Sequence, residues 1–374
     1  MRKVTRNLRG LSSLCRTKKR GNKMKFIHIA DVHLGAEPEG LKAGGKNRGK
    51  EIWEALEQIV NICEWEEIDL LLIAGDLFHR QPLMRELKEV NFLFSKLSKT
   101  KVVFIVGNHD YLKPDSYYHT FQWNEKVYPL LNGHMGGVEF PDLKTNVYGL
   151  SYHQREITEG LYDRMFAPKK QKHEILLAHG GDEKHIPVRK EVLEALGYDY
   201  IALGHIHKPQ VLIENKAVYA GSLEPTDKND IGKHGYVRGE ITEQGVKAEF
   251  IPCAKREYIH AVLPVAEGMT GGALKDWNRK YIGEHGLENM YKFILQGFRD
   301  ADVQFDLESA KSFGNVFEII DETNPSYDFE KILEKNQGNL LGRYIESLKD
   351  YDKGRVEYQA LHLGVQALME TKRG

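Results

Sequence analysis

Short apolar runs alternate along this chain with segments whose apolar residues recur at helical spacing. Five runs contain almost no polar residue, as is typical of strands buried on both faces: residues 26–30, 70–74, 102–106, 175–178 and 200–203. Between them, residues 52–63 and 83–97 have apolar positions at helical spacing, and a third helical segment starts beside Pro187 and ends at Gly197. The pattern predicts an α/β fold in which crossover helices pack on a sheet.

The pattern changes after residue 207, where short apolar stretches are separated by Gly, Asn and Asp. We interpret residues 217–220, 236–241 and 247–251 as antiparallel strands that complete a second sheet, with residues 146–150 as a further candidate strand of that sheet.

A boundary is expected near residues 252–262. The chain beyond it has the order strand, helix, strand, strand, at residues 258–264, 273–282, 291–295 and 316–320. We expect Asn324-Pro325 to break the chain, and helical spacing then predicts helices within residues 329–348 and 356–369. The predicted parts are a leader at 1–23, a main domain at 24–255, a small α+β domain at 256–324 and a helical segment at 325–374.

The length of 374 residues supports two domains, because single cores stop growing at about 250–300 residues. No uninterrupted apolar run reaches the roughly 18 residues that a membrane span requires, so we expect no membrane association. The three cysteines, Cys15, Cys63 and Cys253, form no C-x-x-C pair. This argues against a disulfide framework or a zinc knuckle and favours a reducing, cytoplasmic environment.

Charge is distributed unevenly. The first 23 residues contain nine Lys or Arg and no acidic residue, which leaves 44 basic against 54 acidic residues and a formal net charge of −10 for the rest. The main body is therefore not a generic polyanion binder. The leader lacks the apolar stretch of a secretory signal, and Met24 stands just before the first strand. We interpret the leader as an upstream start-codon artefact or a disordered tail, with a basic arm that contacts nucleic acid as the alternative.

Five short motifs stand where the five apolar runs end. They are Asp31-Val32-His33, Gly75-Asp76, Gly107-Asn108-His109-Asp110, His179-Gly180-Gly181 and Gly204-His205-Ile206-His207. Ligands of open α/β sheets collect outside the carboxyl ends of the strands, so we expect all five motifs at one crevice. A single histidine carries little information, but five motifs in this order point to one site.

The side chains of these motifs are carboxylates, imidazoles and an amide, without thiolates. Such donors suit divalent ions, with Mn²⁺ as the leading candidate and Fe²⁺ or Zn²⁺ as alternatives. Seven ligands are too many for one ion but suit two ions that share a carboxylate, as in phosphoryl chemistry. We expect one ion at Asp31, His33, Asp76 and His207, and the other at Asp76, Asn108, His179 and His205.

The ordered series D-x-H, G-D, G-N-H-D, H-G and G-H-x-H resembles that of the calcineurin-like metallophosphoesterase superfamily, over roughly residues 24–255. Within it, Gly75-Asp76-Leu77-Phe78-His79 and the appended C-terminal domain look most like the SbcD-type DNA repair exonucleases, in particular their YhaO branch. The resemblance implies a four-layer α/β/β/α sandwich that the small α+β domain caps. It also implies hydrolysis of DNA phosphodiester bonds, often with manganese, in a complex with an SbcC-like coiled-coil ABC ATPase. The resemblance leaves open whether the protein forms a homodimer.

In the predicted mechanism, a water that bridges the two ions loses a proton, and the hydroxide attacks phosphorus in line with the leaving oxygen. His109, next to the ligand Asn108, is placed to donate a proton to that leaving oxygen. Asp110 either orients the His109 ring or caps the turn beyond it, and the two interpretations stay open. His79 either contacts the substrate phosphate or is an ordinary loop histidine.

The ligand set defines the reaction more closely than the substrate. A metallophosphatase or a nucleotide phosphodiesterase of the same superfamily is therefore the first alternative to a DNA exonuclease. The second alternative is a non-catalytic scaffold that holds an ATPase on DNA ends, against which the intact ligand set argues. Exonuclease or endonuclease preference, polarity, the physiological metal, the oligomeric state and the role of the C-terminal helices are left open by the sequence.

Overall fold

The computed structural model describes residues 23–38, 48–350, 352 and 355–371. The predicted basic leader therefore lies outside the described residues, apart from Lys23, whose Nζ pairs with Glu240 at 2.9 Å. Across the described segments, no helix has both the length and the apolar character needed to cross a membrane.

Fifteen strands are found in the described residues: β1 Met24–Ile29, β2 Leu70–Ala74, β3 Lys101–Ile105, β4 Val127–Pro129, β5 Gly136–Phe140, β6 Thr145–Gly149, β7 His173–His179, β8 Tyr200–Gly204, β9 Gln210–Ile213, β10 Ala217–Tyr219, β11 Gly235–Thr242, β12 Gly245–Pro252, β13 Tyr258–Val265, β14 Met290–Asp300 and β15 Asn315–Ser326. The α-helices of the same residues are α1 Arg48–Trp65, α2 Met84–Ser95, α3 Lys190–Ala195, α4 Gly271–His285, α5 Leu307–Ala310, α6 Phe329–Lys335, α7 Leu340–Leu348 and α8 Val356–Glu370.

Two six-stranded sheets form the centre of the molecule. The first has the order β12-β11-β1-β2-β3-β4, and the second has the order β5-β6-β7-β8-β10-β9. Strands β1 to β4 run parallel to one another, as do β6, β7, β8 and β10, so their carboxyl ends lie along one edge of each sheet. This is the edge at which the five sequence motifs begin.

The two sheets share one buried core. Phe26, Leu72 and Ile105 of the first sheet pack in the same cluster as Ile175 and Ala202 of the second. The alternate residues of these strands point to the opposite faces, which explains why the runs are apolar throughout.

Helices cover the outer faces of both sheets. Ile73 on β2 lies in one cluster with Ile59 of α1 and Val90 of α2, whereas Leu176 on β7 lies in another with Leu193 of α3. The predicted four-layer α/β/β/α architecture is therefore confirmed.

The predicted partners of the later strands are only partly right. Strand β10 joins the second sheet, as does β6, but β11 and β12 form a hairpin at the edge of the first sheet, where β11 pairs antiparallel with β1. Gly239 of β11 sits opposite Phe26, whose ring fills the space that a side chain at residue 239 would occupy. Short-range periodicity locates a strand, but the partner depends on such long-range contacts.

A third sheet comes next, with the order β13-β14-β15 and parallel pairing throughout. It has its own core, in which Leu263 and Phe293 of the sheet pack with Leu274 and Ile282 of α4. The predicted order of strand, helix, strand and strand is confirmed, with the short helix α5 added before β15. The domain boundaries themselves stay a prediction.

The predicted chain break at Asn324-Pro325 is wrong. Strand β15 continues through both residues to Ser326, with Pro325 opposite Arg299 of β14. Strand β15 is at the edge of the sheet, and proline is tolerated there because its missing N–H is not needed by a further strand. Helices α6, α7 and α8 then form a small cluster around Leu341, Ile345, Leu361 and Val365.

A buried ion-pair network joins helix α1 to the segment that leads into the third sheet. Arg48 donates to Glu51 at 2.5 Å and to the carbonyl of Pro225 at 2.6 Å. Arg256 donates to the same carboxylate of Glu51 from Nε and Nη2, at 2.9 and 2.7 Å. Glu51 therefore bonds both arginines and links α1 to the entry of β13, while the buried carboxylate of Glu224, 3.4 Å from Arg48, supplies the second negative charge.

Candidate metal centre

The seven predicted ligands are brought together at the carboxyl ends of five parallel strands. Asp31, Asp76, Asn108 and His205 come after β1, β2, β3 and β8, and His179 is the last residue of β7. Three of these, Asp31, Asp76 and His205, have φ angles of 49°, 49° and 93°, in the left-handed region that L-residues rarely adopt. Such backbone strain persists where the surrounding structure enforces it, and it concentrates at functional sites.

His179 is completely buried and firmly oriented. Its Nδ1 donates to the carbonyl of Ala74 at 2.9 Å, so Nε2 points to Asn108 Oδ1 at 2.9 Å and Asp76 Oδ2 at 3.4 Å. Burial alone would lower the pKa of His179, but the Asp76 carboxylate outweighs it and raises the pKa to about 9. The position facing Nε2 therefore attracts positive charge, which a proton or a metal ion can supply.

His205 faces the same amide oxygen from the other side. Its Nδ1 lies 3.1 Å from Asn108 Oδ1, while Nε2 bonds the carboxylate of Asp182 at 2.7 Å. With Nε2 donating to a carboxylate, the neutral ring presents a lone pair at Nδ1. Its backbone N–H donates to Asp31, at 2.9 Å to Oδ2, which ties the two strand ends together.

His33 and His207 form the opposite side of the cluster. Their Nε2 atoms are 3.0 Å apart, and His207 Nδ1 lies 3.1 Å from a carboxylate oxygen of Asp230. Burial would lower the pKa of His207, but the hydrogen bond with Asp230 and the charge of Asp31 raise it to about 9. The nitrogen of His207 that faces the cluster, Nε2, therefore lies beside another possible ligand atom, His33 Nε2.

Asp76 lies between the two histidine groups. Its Oδ2 is 3.4 Å from His179 Nε2 and 3.9 Å from His33 Nε2, and its Oδ1 accepts the backbone N–H of His109 at 2.9 Å. Asp31 is equally buried, and burial raises its pKa to about 6.

The arrangement fits metal ions. Two sets of possible ligand atoms each lie within 4.8 Å of one another, the buried Asp31, Asp76 and His179, and the buried Asp31 and His33 with the partly exposed His207. Lone pairs of imidazole, carboxylate and amide oxygen converge, and a cation between them satisfies all of them at once. The position of Asp76 Oδ2 between His33 and His179 suits a shared carboxylate, and the assignment of each ligand to an ion stays a prediction.

His109 and His79 lie at the open side of this cluster. His109 Nδ1 is 3.0 Å from the carbonyl of His79, and His79 Nδ1 is 3.4 Å from His33 Nδ1. The rings of His79 and His109 are neighbours, with centroids 5.0 Å apart, and the His79 side chain is exposed. Both side chains are therefore accessible from the cleft.

Asp110 is placed differently from either sequence-based interpretation. Its fully buried carboxylate accepts the backbone N–H groups of Gly107 and Phe78, at 2.9 and 3.3 Å, and the hydroxyl of Tyr118 at 2.9 Å. The His109 ring is instead oriented by the carbonyl of His79. Asp110 thus neither orients His109 nor caps the turn after it, because it fastens the loop after β3 to the loop after β2.

Glycines next to the ligands are required by close packing. A Cβ on Gly107 would lie 2.6 Å from His179 Nε2, and one on Gly75 would lie 2.7 Å from His179 Cγ. Both distances are shorter than Cβ contacts found in proteins. The glycines in the G-D and G-N-H-D motifs therefore make room for His179, which ends β7 of the second sheet.

The sequence analysis missed the two carboxylates behind the histidines, Asp182 and Asp230. Asp182 stands three residues after His179, and that proximity is the only signal that could have drawn attention to it. Asp230 lies in a loop with no recognisable motif, and only the fold brings it to His207.

These features define the class of the domain. Residues 24–209 match the family model described as calcineurin-like phosphoesterase, which agrees with the four-layer fold and the ligand motifs. This part of the chain is a calcineurin-like metallophosphoesterase domain.

The chain is similar to the uncharacterized metallophosphoesterase YhaO of Bacillus subtilis, with 29% identity over 61% of this chain and 60% of that protein. It is also similar to the DNA double-strand break repair protein Mre11 of Archaeoglobus fulgidus, with 30% identity over 61% of this chain and 56% of that protein. The matches thus cover less than two thirds of these relatives. Among solved structures, a dimetal phosphatase from Danio rerio matches 61% of this chain and 98% of its own, with 12% identity and a TM-score of 0.39.

Proposed function

We propose that this chain is a two-metal phosphodiesterase that hydrolyses DNA, as a DNA repair exonuclease of the SbcD/YhaO type. The observation that carries the proposal is the convergence of seven potential ligands from five strand ends. One ring nitrogen of each of His179, His205 and His207 faces another possible ligand atom, Asn108 Oδ1 for the first two and His33 Nε2 for the third. Such a concentration of imidazole, carboxylate and amide atoms around one point is typical of a metal site.

The proposed ligand sets are the predicted ones, with Asp76 shared between the two ions. Two divalent ions in these sets supply an activated water and stabilise the charge on the phosphoryl oxygens. Manganese is the proposed metal, because the donors are imidazole and oxygen without thiolate. The protein contributes the fixed positions, since the ligand side chains start at strand ends that the parallel ladders hold in register.

His109 is the proposed proton donor to the leaving oxygen. The hydrogen bond between its Nδ1 and the His79 carbonyl holds the ring and leaves Nε2 for the substrate. His79, exposed beside His109, is proposed to contact the phosphate.

DNA as the substrate is supported by the likeness to the archaeal double-strand break repair protein and by the match around residues 75–79. The net charge of −10 on residues 24–374 works against binding DNA by charge alone. We therefore propose that an SbcC-like coiled-coil ABC ATPase supplies much of the phosphate-binding surface, within the cytoplasm.

The C-terminal helices are the proposed docking site for that ATPase. Their buried residues pack on one another, yet Leu340, Val356 and Leu363 remain exposed by 70%, 76% and 63%. Apolar side chains in such positions suit the groove or face of a partner helix. Replacing Leu340 and Leu363 by Glu is expected to abolish co-purification with the ATPase while leaving the turnover of a small diester unchanged.

The decisive experiment compares the wild type with His109→Ser and Asp76→Ala on end-labelled linear duplex DNA and on a phosphopeptide, in manganese, with and without the ATPase. His285→Ser is the matched control, because His285 is also an accessible histidine whose Nδ1 bonds a carbonyl, but it lies on α4. Loss of DNA cleavage in both site variants, with normal cleavage by the control, is expected.

The other outcomes separate the alternatives. Activity on the phosphopeptide alone retains the two-metal chemistry but makes the protein a metallophosphatase. Turnover of bis-p-nitrophenyl phosphate without DNA cleavage favours a nucleotide phosphodiesterase. Metal binding without turnover of any of these substrates refutes an enzymatic function and leaves a scaffold on DNA ends.

A further inference from the structure

Two ligand histidines are each held from behind by a carboxylate that is outside the ligand set. Asp182 accepts from His205 Nε2 at 2.7 Å, and Asp230 accepts from His207 Nδ1 at 3.1 Å. We infer that Asp182 and Asp230 are positioning residues, one for each metal ion, which fix the ring nitrogen that each histidine presents to the centre. This inference rests on the proposed ligand sets, in which His205 and His207 serve different ions.

Asp230 is held in place by its own loop. Its Oδ2 accepts the backbone N–H groups of Thr226 and Asp227, at 2.8 and 3.1 Å, and the hydroxyl of Thr226 at 3.0 Å. The carbonyl of Asp230 lies 3.2 Å from Nε2 of the buried His234. The carboxylate is therefore fixed by its own loop independently of any metal.

Asp182 is fixed in the same way by a tight turn. Its Oδ1 accepts the backbone N–H groups of Lys184 and His185, at 2.8 and 3.0 Å, and lies 2.9 Å from His185 Nδ1. The turn closes at Ile186, a β-branched residue with a φ of 37°. Such a conformation is an outlier that the fold must enforce, and here it holds the Asp182 carboxylate against His205.

The hydrogen bonds of each carboxylate determine how replacement of the aspartate by asparagine would affect the neighbouring histidine ring. At Asp230 one oxygen, Oδ2, accepts the backbone N–H groups and lies nearest His207 Nδ1, with Oδ1 at 3.3 Å, so an asparagine would keep an acceptor there but remove the charge and add a donor beside it. At Asp182 the backbone N–H groups bond Oδ1 and His205 bonds Oδ2, so an asparagine would place its oxygen on the N–H groups and direct its NH₂ group to His205. Two donors would then face each other unless the ring proton moves to the other nitrogen. That shift would put an N–H where the metal ligand is needed, and lost outer partners typically weaken metal binding about 10- to 100-fold.

The test uses Asp182→Asn and Asp230→Asn, each with a control that removes a nearby negative charge. The controls are Glu183→Gln, beside Asp182 on the exposed side of the turn, and Asp227→Asn, whose carboxylate bonds Asn229 rather than a histidine. Calorimetric titration with Mn²⁺ measures the two binding steps. Nitrogen-15 NMR of the zinc-loaded protein reports which nitrogen of each ring carries hydrogen.

Each Asp→Asn variant is expected to weaken one binding step by about 10- to 100-fold and to leave the other nearly unchanged. The controls are expected to bind like the wild type, whose spectrum should show hydrogen on His205 Nε2 and on His207 Nδ1. Hydrogen on the opposite nitrogens of the wild type, or unchanged binding in both Asn variants, would overturn the inference. A wild type that binds neither Mn²⁺ nor Zn²⁺ would instead overturn the proposed function itself.

Discussion

The close packing beneath the candidate metal centre leads to a specific prediction for Gly107→Ala. The new methyl group would lie 2.6 Å from His179 Nε2, about 0.8 Å inside the 3.4 Å at which ordinary van der Waals contact begins, and closer still to Asp76 Oδ1. The backbone at Gly107 has no positive φ, so the effect is purely steric. His179 and Asp76 are fully buried and hydrogen-bonded, and both must move, His179 by nearly 1 Å and Asp76 by more.

That displacement affects both stability and activity. Overpacking of this kind costs about 1–3 kcal/mol of stability. A displacement of about 1 Å in catalytic groups lowers the rate by about 100-fold. The expected result is a protein with a modestly lower unfolding midpoint and an activity on bis-p-nitrophenyl phosphate reduced by about two orders of magnitude.

The control for this variant is Gly283→Ala, in the last turn of helix α4, where an added Cβ meets nothing within 4 Å. That change should raise stability by up to about 1 kcal/mol, because alanine favours helix over glycine, and leave turnover unchanged. Calorimetric titration with Mn²⁺ and thermal unfolding of both variants are the measurements. Wild-type metal affinity and turnover in Gly107→Ala would refute the placement of His179 and Asp76 as joint ligands.

Three further predictions concern the surroundings of the site. Glu51→Gln should lower stability by about 3–5 kcal/mol in thermal unfolding, because buried Arg48 loses its closest carboxylate, whereas Glu57→Gln in an exposed pair should cost about 0–1 kcal/mol. Tyr118→Phe should cost about 1.5–3 kcal/mol, by removing a donor to the buried Asp110 carboxylate, and should change turnover only a few-fold. Chelation should abolish turnover and lower the unfolding midpoint, and Mn²⁺ at 100 times its Kd should restore about 2.7 kcal/mol of stability.

The fold is predictable where burial imposes a local pattern. A strand covered on both faces must be apolar throughout, and β2 with β3 shows this without exception beyond the first residue of β3. The crossover helices are equally clear, because only one face of each packs on the sheet. The prediction places the β11–β12 hairpin in the wrong sheet, because its alternation of apolar and polar residues would be the same in either sheet. The chain break predicted at Pro325 is wrong for a related reason. Proline interrupts a central strand but is tolerated in an edge strand, and the sequence does not show that β15 is at an edge.

The candidate site is predictable to the extent that its residues are attached to strand ends. The carboxyl ends of parallel strands meet by geometry, so a polar residue after each apolar run belongs to one cluster. Asp110 shows the limit of this reasoning, because its carboxylate is directed away from the cleft to Gly107, Phe78 and Tyr118. Its neighbour His109 is directed toward the cleft, and the sequence contains no signal that distinguishes the two.

Strands and loops have different roles at the candidate metal centre, because strands place the histidines and acceptors behind the rings select the nitrogen that faces the centre. The hydrogen-bonded strands fix where the backbone of each candidate ligand lies. A histidine ring at such a position can still direct either of its two nitrogens to the centre. That choice is made by outer acceptors: the backbone carbonyl of Ala74 for His179, and the loop carboxylates of Asp182 and Asp230 for His205 and His207. A carbonyl inside a sheet cannot move without breaking the fold, whereas a loop carboxylate can be exchanged by a single substitution. We therefore expect substitutions behind His205 and His207 to tune metal affinity, whereas a side-chain change at Ala74 leaves the acceptor of His179 in place.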